Sequence, residues 1–165
     1  MNNYSKIILT MVRDFDVAPE EIFEAWINPE MMKKWFFTLE GTNKVAKNTL
    51  EVGGSWEIVD HRDGNDYRAI GEYIEIDQPK KLVFTFKMPQ FSELEDIITV
   101  EIKDRQQGSE MIFSQNIIVP HEEDWTELHI EKALKEHHDG SEHGWNLMFI
   151  GLKELVETGE VSYKG

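Results

Sequence analysis

Residues 13–30 constrain the fold of this chain more than any other part of it. Just before and into that stretch, Ile7, Leu9, Met11, Phe15 and Val17 share one parity, opposed by Thr10, Asp14 and Asp16. That is the period-two signature of a strand with one face turned inward. The strand stops at Pro19, where a helix starts at once. Proline has the fixed φ that suits the first helical residue, and Glu20 and Glu21 fall in the first turn, near the positive end of the helix dipole. Ile22, Phe23 and Trp26 then recur at helical spacing until Pro29, whose ring disfavours a helical Asn28.

A second short helix carries Met31, Met32 and Trp35, and from Gly41 onward the texture is β. A weak strand covers residues 43–47, Gly53-Gly54 makes a turn or bulge, and Trp56 and Ile58 open the next strand. Residues 62–66 make a hairpin turn into a strand over 67–76. Leu82, Phe84, Phe86 and Met88 alternate through the following strand, then Ile98, Val100 and Ile102. After a turn at 105–108, Met111, Phe113, Gln115, Ile117 and Val119 make the last strand, ended by Pro120. Near the C-terminus Trp145, Met148, Phe149, Leu152, Leu155 and Val156 lie on one helical face, and Gly159 suits the position just past its end. The order is strand, two short helices, six strands, long helix, with no internal repeat and no linker.

A chain of 165 residues suits one domain, and its nine Phe, five Trp and seven Met are generous for that length. Large adaptable apolar side chains suit a core wrapped around a ligand cavity, and equally a solid aromatic core. The net charge of −15 repels phosphate backbones and anionic lipid, which argues against nucleic-acid and membrane-surface roles. Without cysteine there are no disulfides, thiolate metal sites or cysteine nucleophiles. The first residues, from Met1 to the short Ile7-Ile8-Leu9 run, do not read as a signal peptide, and no segment approaches the roughly 18 apolar residues of a membrane span. The expected location is the cytoplasm.

Arg13, Pro19, Phe23, Trp26, Pro29, Trp35, Gly53, Gly54, Trp56, Gly71, Pro79, Leu82, Val83, Thr99, Gly144 and Trp145 occur in an order and spacing that resemble the activator of heat-shock-protein ATPase homologue family. That family belongs to the START-like, or SRPBCC, superfamily shared with the birch-pollen allergen. The resemblance implies an α+β helix-grip fold: a curved antiparallel β-sheet gripping a long C-terminal helix, with two short helices after the first strand and commonly a cavity between them. It spans nearly the whole chain, read as a single START-like domain over residues 1–165. The departure is an inserted acidic, His-rich segment at about 121–141, read as an extra helix over 122–138 broken by Asp139-Gly140 before the long one. It would serve as a lid or an interface.

The chemistry-bearing residues give no catalytic constellation. Parity puts Arg13 on the concave face, where a buried guanidinium demands a partner: Glu75, Asp60 or a ligand carboxylate. His61, His121, His129, His137, His138 and His143 match no zinc spacing and read as solvated, so no metal site is expected. Glu93, Glu95 and Asp96 read as edge charges, and Gly53-Gly54 lacks phosphate-cradle spacing. What remains is the inward apolar set. Trp56, Ile58, Tyr73, Phe84, Phe86, Val100, Phe113 and Gln115 from the sheet face Trp145, Met148, Phe149 and Leu152 from the helix, with Trp35 and Arg13 beside them. The expected function is non-catalytic binding of a small hydrophobic or aromatic ligand by these residues, without a cofactor. Two alternatives stand beside it: a co-chaperone-like interaction domain, and a cyclase- or aromatase-like enzyme using Glu75 or Arg13. The expected assembly is a monomer or a weak homodimer.

Overall fold

The computed structural model describes residues 3–165; Met1 and Asn2, which begin the segment read above as no signal peptide, lie outside the described residues. The strands are β1 (Tyr4–Phe15), β2 (Asn43–Asn48), β3 (Ser55–Arg62), β4 (Asn65–Asp77), β5 (Lys81–Phe86), β6 (Asp96–Arg105) and β7 (Gly108–Pro120). The helices are α1 (Pro19–Ile27), α2 (Pro29–Trp35) and α3 (Glu127–Thr158). All strands belong to one seven-stranded antiparallel sheet in the order β1-β7-β6-β5-β4-β3-β2, so the first strand closes onto the last. This is the α+β helix-grip fold that the strand and helix order implied: a curved sheet around a long C-terminal helix.

Strand parity decides the inner face. On β1 Leu9, Met11 and Phe15 are buried while Ile8 and Val12 stand outside. On β7 Met111, Phe113, Gln115, Ile117 and Val119 all turn inward, opposite Ile98, Val100 and Ile102 of β6. The two short helices lie across this face. Asn28 joins them: its backbone N–H ends α1 on the Glu24 carbonyl, 2.8 Å away, and its side chain caps α2 by accepting from the Glu30 amide at 3.0 Å. Asn48 braces the same corner from the sheet, donating to the Ile27 carbonyl at 2.6 Å and to the Tyr73 hydroxyl at 3.0 Å.

The C-terminal region differs from expectation in two respects: residues 122–126 precede the helix expected to start at 122, and the expected break is absent. No break occurs at Asp139-Gly140; one helix of 32 residues runs from Glu127 to Thr158. Thr126 starts it with a capping box, its hydroxyl accepting from the His129 amide and its own amide donating to His129 Nδ1. Left-handed Gly159 ends it, with its N–H on the Leu155 carbonyl. Leu134 and Trp145, about three turns apart, stay in phase on one face across Gly140, and an interior glycine weakens a helix by only about 1 kcal/mol. Lys135 and Asp139, one turn apart, add an ion pair at 2.7 Å.

Candidate functional site

The space between sheet and α3 is occupied by the protein's own rings. Trp26 of α1 sits at the centre, 4.7 Å and edge-on from Trp35, 6.0 Å from Trp145, and in ring contact with Phe36, Phe84, Phe113 and Phe149. Trp56 packs edge-on against Phe84 at 5.7 Å and leans on Phe36 at 5.1 Å. Each such pair is worth about 0.5–1.5 kcal/mol beyond the area it buries. Ile58, Tyr73, Val100 and Leu152 complete the buried set, while Phe86 is half-buried. These candidates are brought together, but as mutual neighbours in a packed interior.

The polar candidates are engaged as well. Gln115, 2% exposed, accepts from the Trp145 indole N–H at 2.9 Å and donates to Asp96 at 2.8 Å. Asp96 also accepts from the Ile118 amide at 3.1 Å. Burial lifts the Asp96 carboxyl above its ordinary range, opposed by those two hydrogen bonds and by the charge of His137. Arg13 takes neither Glu75 nor Asp60 as partner, a correction to the parity argument. It is half-buried at the rim, donates to the Val12 carbonyl and to Asn146 at 3.0 Å, and lies 5.9 Å over the Phe149 ring. Glu75 pairs instead with Lys81, and Asp60 with Arg62. On the outer flank of α3, His138, Asp139 and Glu142 bring ligand atoms within 4.8 Å of one another, with Asp139 already held by Lys135 and His138.

An apolar cleft of about 800 Å³ opens on another flank of α3. Its floor is the helix, through Gly144, Leu147, Met148, Ile150, Gly151 and Glu154 at three-and-four spacing. One wall is the end of α2 and the segment after it: Lys34, Trp35, Phe37, Thr38 and Leu39. The β3–β4 hairpin adds Asp60, Arg62 and Tyr67, the segment after β5 adds Met88 and Phe91, and residues 161–163 complete the lining. Of the ligand-contact residues expected from sequence, Trp35 and Met148 line this cleft.

Two features shape it. A methyl on Gly144 would meet nothing within 4 Å, so the cleft reaches the helix backbone there. Phe37 has φ 57°, a left-handed conformation that a bulky side chain adopts at a penalty of about 1–2 kcal/mol. It is held by near-parallel stacking on Phe86 at 4.7 Å, by edge contact with Trp145 at 5.1 Å, and by its amide against Met148 Sδ at 3.3 Å. Phe37 thereby separates the cleft from the packed rings. Sequence reasoning missed this cleft, although a signal exists: Leu147 and Ile150 are large apolar residues off the core stripe of α3, 57% and 60% exposed.

A family model described as Activator of Hsp90 ATPase homolog 1-like protein matches residues 16–157, and the chain belongs to that family. Among solved structures, protein SA2116 of unknown function from Staphylococcus aureus is 30% identical, with a TM-score of 0.88 over 94% of this chain and 96% of that one. Protein NE0264 from Nitrosomonas europaea, 18% identical over 93% and 96% of the two chains, and protein CV1439 from Chromobacterium violaceum, 18% over 91% and 96%, share the fold with TM-scores of 0.70 and 0.68. No curated protein matches the chain. Family and fold are those of a ligand-binding or interaction domain. Among the described residues no helix is long and apolar enough to cross a membrane.

Proposed function

We propose that this protein binds a small hydrophobic molecule in the cleft on the flank of α3, without catalysing a reaction on it. The observation that carries this reading is an apolar hollow of about 800 Å³, within the size range of small-molecule sites, whose floor includes glycine backbone at Gly144. Both carboxylates that line it are engaged: Asp60 by Thr38, Thr42 and Arg62, Glu154 by the Ser162 amide. The ligand site thus lies beside the inner rings, and Trp35 and Met148 are the expected contacts that serve it.

The test is Gly144→Leu. A Cβ at Gly144 meets nothing within 4 Å and the longer side chain occupies the cleft beyond it, while a helix interior gains from losing glycine. A panel of hydrophobic compounds is screened by thermal shift against both proteins. The expected result is a subset that stabilises the wild type, by about 2.7 kcal/mol at one hundred times Kd, and leaves the folded variant unchanged. Compounds that stabilise both proteins equally, or none that stabilises either, would remove the reading.

A further inference from the structure

We infer that the cleft selects hydrophobic molecules that end in a carboxylate, with Lys34 as the principal contact for that group. The inference rests on the cleft being the ligand site. It comes from accounting for the charged side chains that line the cleft: Lys34, Asp60, Arg62 and Glu154.

Asp60 is 2% exposed and saturated. One of its oxygens accepts from Thr38 at 2.8 Å and Thr42 at 2.5 Å, and the other faces Arg62 Nε at 2.5 Å. Glu154 has an oxygen on the Ser162 amide, which fixes the segment after α3. Asp60 and Arg62 are therefore paired with each other, and Glu154 holds a backbone amide with one oxygen. Lys34 differs. Lys34 is half-buried and, among the described residues, has no carboxylate within 4.0 Å and no side-chain hydrogen bond. Arg62 meets Asp60 through Nε and lies 5.3 Å over the Tyr67 ring, so its charge is already engaged. An ammonium on a half-buried apolar wall gains most from an anion, because the low local dielectric strengthens a charge-assisted hydrogen bond.

This local arrangement opposes the molecule as a whole. A net charge of −15 repels acids and attracts amines at long range. A preference for acids would therefore have to arise in the cleft itself, which makes ligand charge a sharp discriminator.

Isothermal titration calorimetry with two matched series tests it: dodecanoate, dodecanol and dodecylamine, and naphthylacetate, naphthylethanol and naphthylethylamine, all below their aggregation limits. In at least one series the acid is expected to bind the wild type about tenfold tighter than the alcohol, and the amine weakest. Lys34→Met should bring the acid down to the alcohol and leave the alcohol unchanged, while Lys34→Arg keeps the acid's advantage. Added salt should narrow that advantage. Equal binding of acid and alcohol, tighter binding of the amine, or an acid preference that survives Lys34→Met would each overturn the inference and leave the cleft reading standing. Loss of acid and alcohol together in Gly144→Leu keeps the site in this cleft. Failure of every compound in both series to bind the wild type would count against the cleft reading and this inference together.

Discussion

The indole N–H of Trp35 donates to the Ala25 carbonyl at 2.9 Å. In an uninterrupted helix that carbonyl would accept from the amide of residue 29, but residue 29 is proline and has none. A buried acceptor orphaned by the helix-ending proline is thus satisfied by a tryptophan of the next helix, which also fixes the angle between α1 and α2. Trp26, in ring contact with Trp35, is the opposite case: its indole N–H is buried without a partner among the described residues.

The contrast predicts different penalties for the same chemical change. Trp35→Phe loses ring volume and strands the Ala25 carbonyl, whereas Trp26→Phe loses similar volume and no hydrogen bond. Trp35→Phe should be the more destabilising by about 1 kcal/mol, measured by chemical denaturation. Equal penalties would mean that the bond to Ala25 contributes nothing.

Gly71 faces Trp56 directly across β3 and β4, and the Trp56 indole passes beside it to donate to the Thr85 carbonyl at 3.2 Å. A methyl at Gly71 would fall 1.7 Å from that carbonyl oxygen and 2.5 Å from the indole nitrogen. Gly71→Ala should destabilise the protein by about 3 kcal/mol, with a matching drop in Tm. A melt indistinguishable from wild type would show that β4 and β5 can part there without loss.

Asp96 accepts on both oxygens, from Gln115 and from the Ile118 amide. Asparagine offers one acceptor, so Asp96→Asn should destabilise at neutral pH by about 1 kcal/mol. The pH dependence has a definite sign. Burial raises the folded-state pKa of Asp96, so the folded state holds this proton more tightly than the unfolded one, and stability from this group is lost as pH rises through the folded value. The gap between wild type and variant should shrink as pH rises above the ordinary carboxylate pKa of about 4. Glu57, Asp66 and Asp139 act in the opposite direction, because hydrogen-bonded cations lower their pKa values and acid removes their contribution. These groups titrate alike in both proteins, so they cancel in the difference.

Gly140 stands mid-helix in α3, and a methyl there meets nothing within 4 Å. Gly140→Ala should stabilise by up to about 1 kcal/mol in thermal unfolding. Destabilisation would mean that the helix needs a weak point at that position.

Much of the architecture was legible because it rests on short-range rules. Alternation on β1 and β7 assigned the inner face, and Pro19 and Pro29 bounded α1. The misread break at Asp139-Gly140 came from giving two helix-disfavouring residues too much weight, in a polar stretch from 135 to 144 where no apolar period argued against them. Arg13 was misplaced because parity gives a side chain's direction and not how far a long one reaches, and its head group ends on Asn146 at the rim. The cleft was harder to foresee. Its walls come from α2, the β3–β4 hairpin and residues 161–163, far apart in sequence, and its inner boundary depends on the backbone of Phe37, whose left-handed φ no composition rule marks.

Trp35 forms part of the cleft wall, lies 4.7 Å from Trp26, and through it stands one step from Trp145. The transition dipoles of indoles this close interact, so a change at one ring alters the optical signal of its neighbours. An occupant that perturbs Trp35 alone should therefore alter the near-ultraviolet circular dichroism of the whole group. The protein carries its own optical reporter of occupancy, and no label has to be attached near the site.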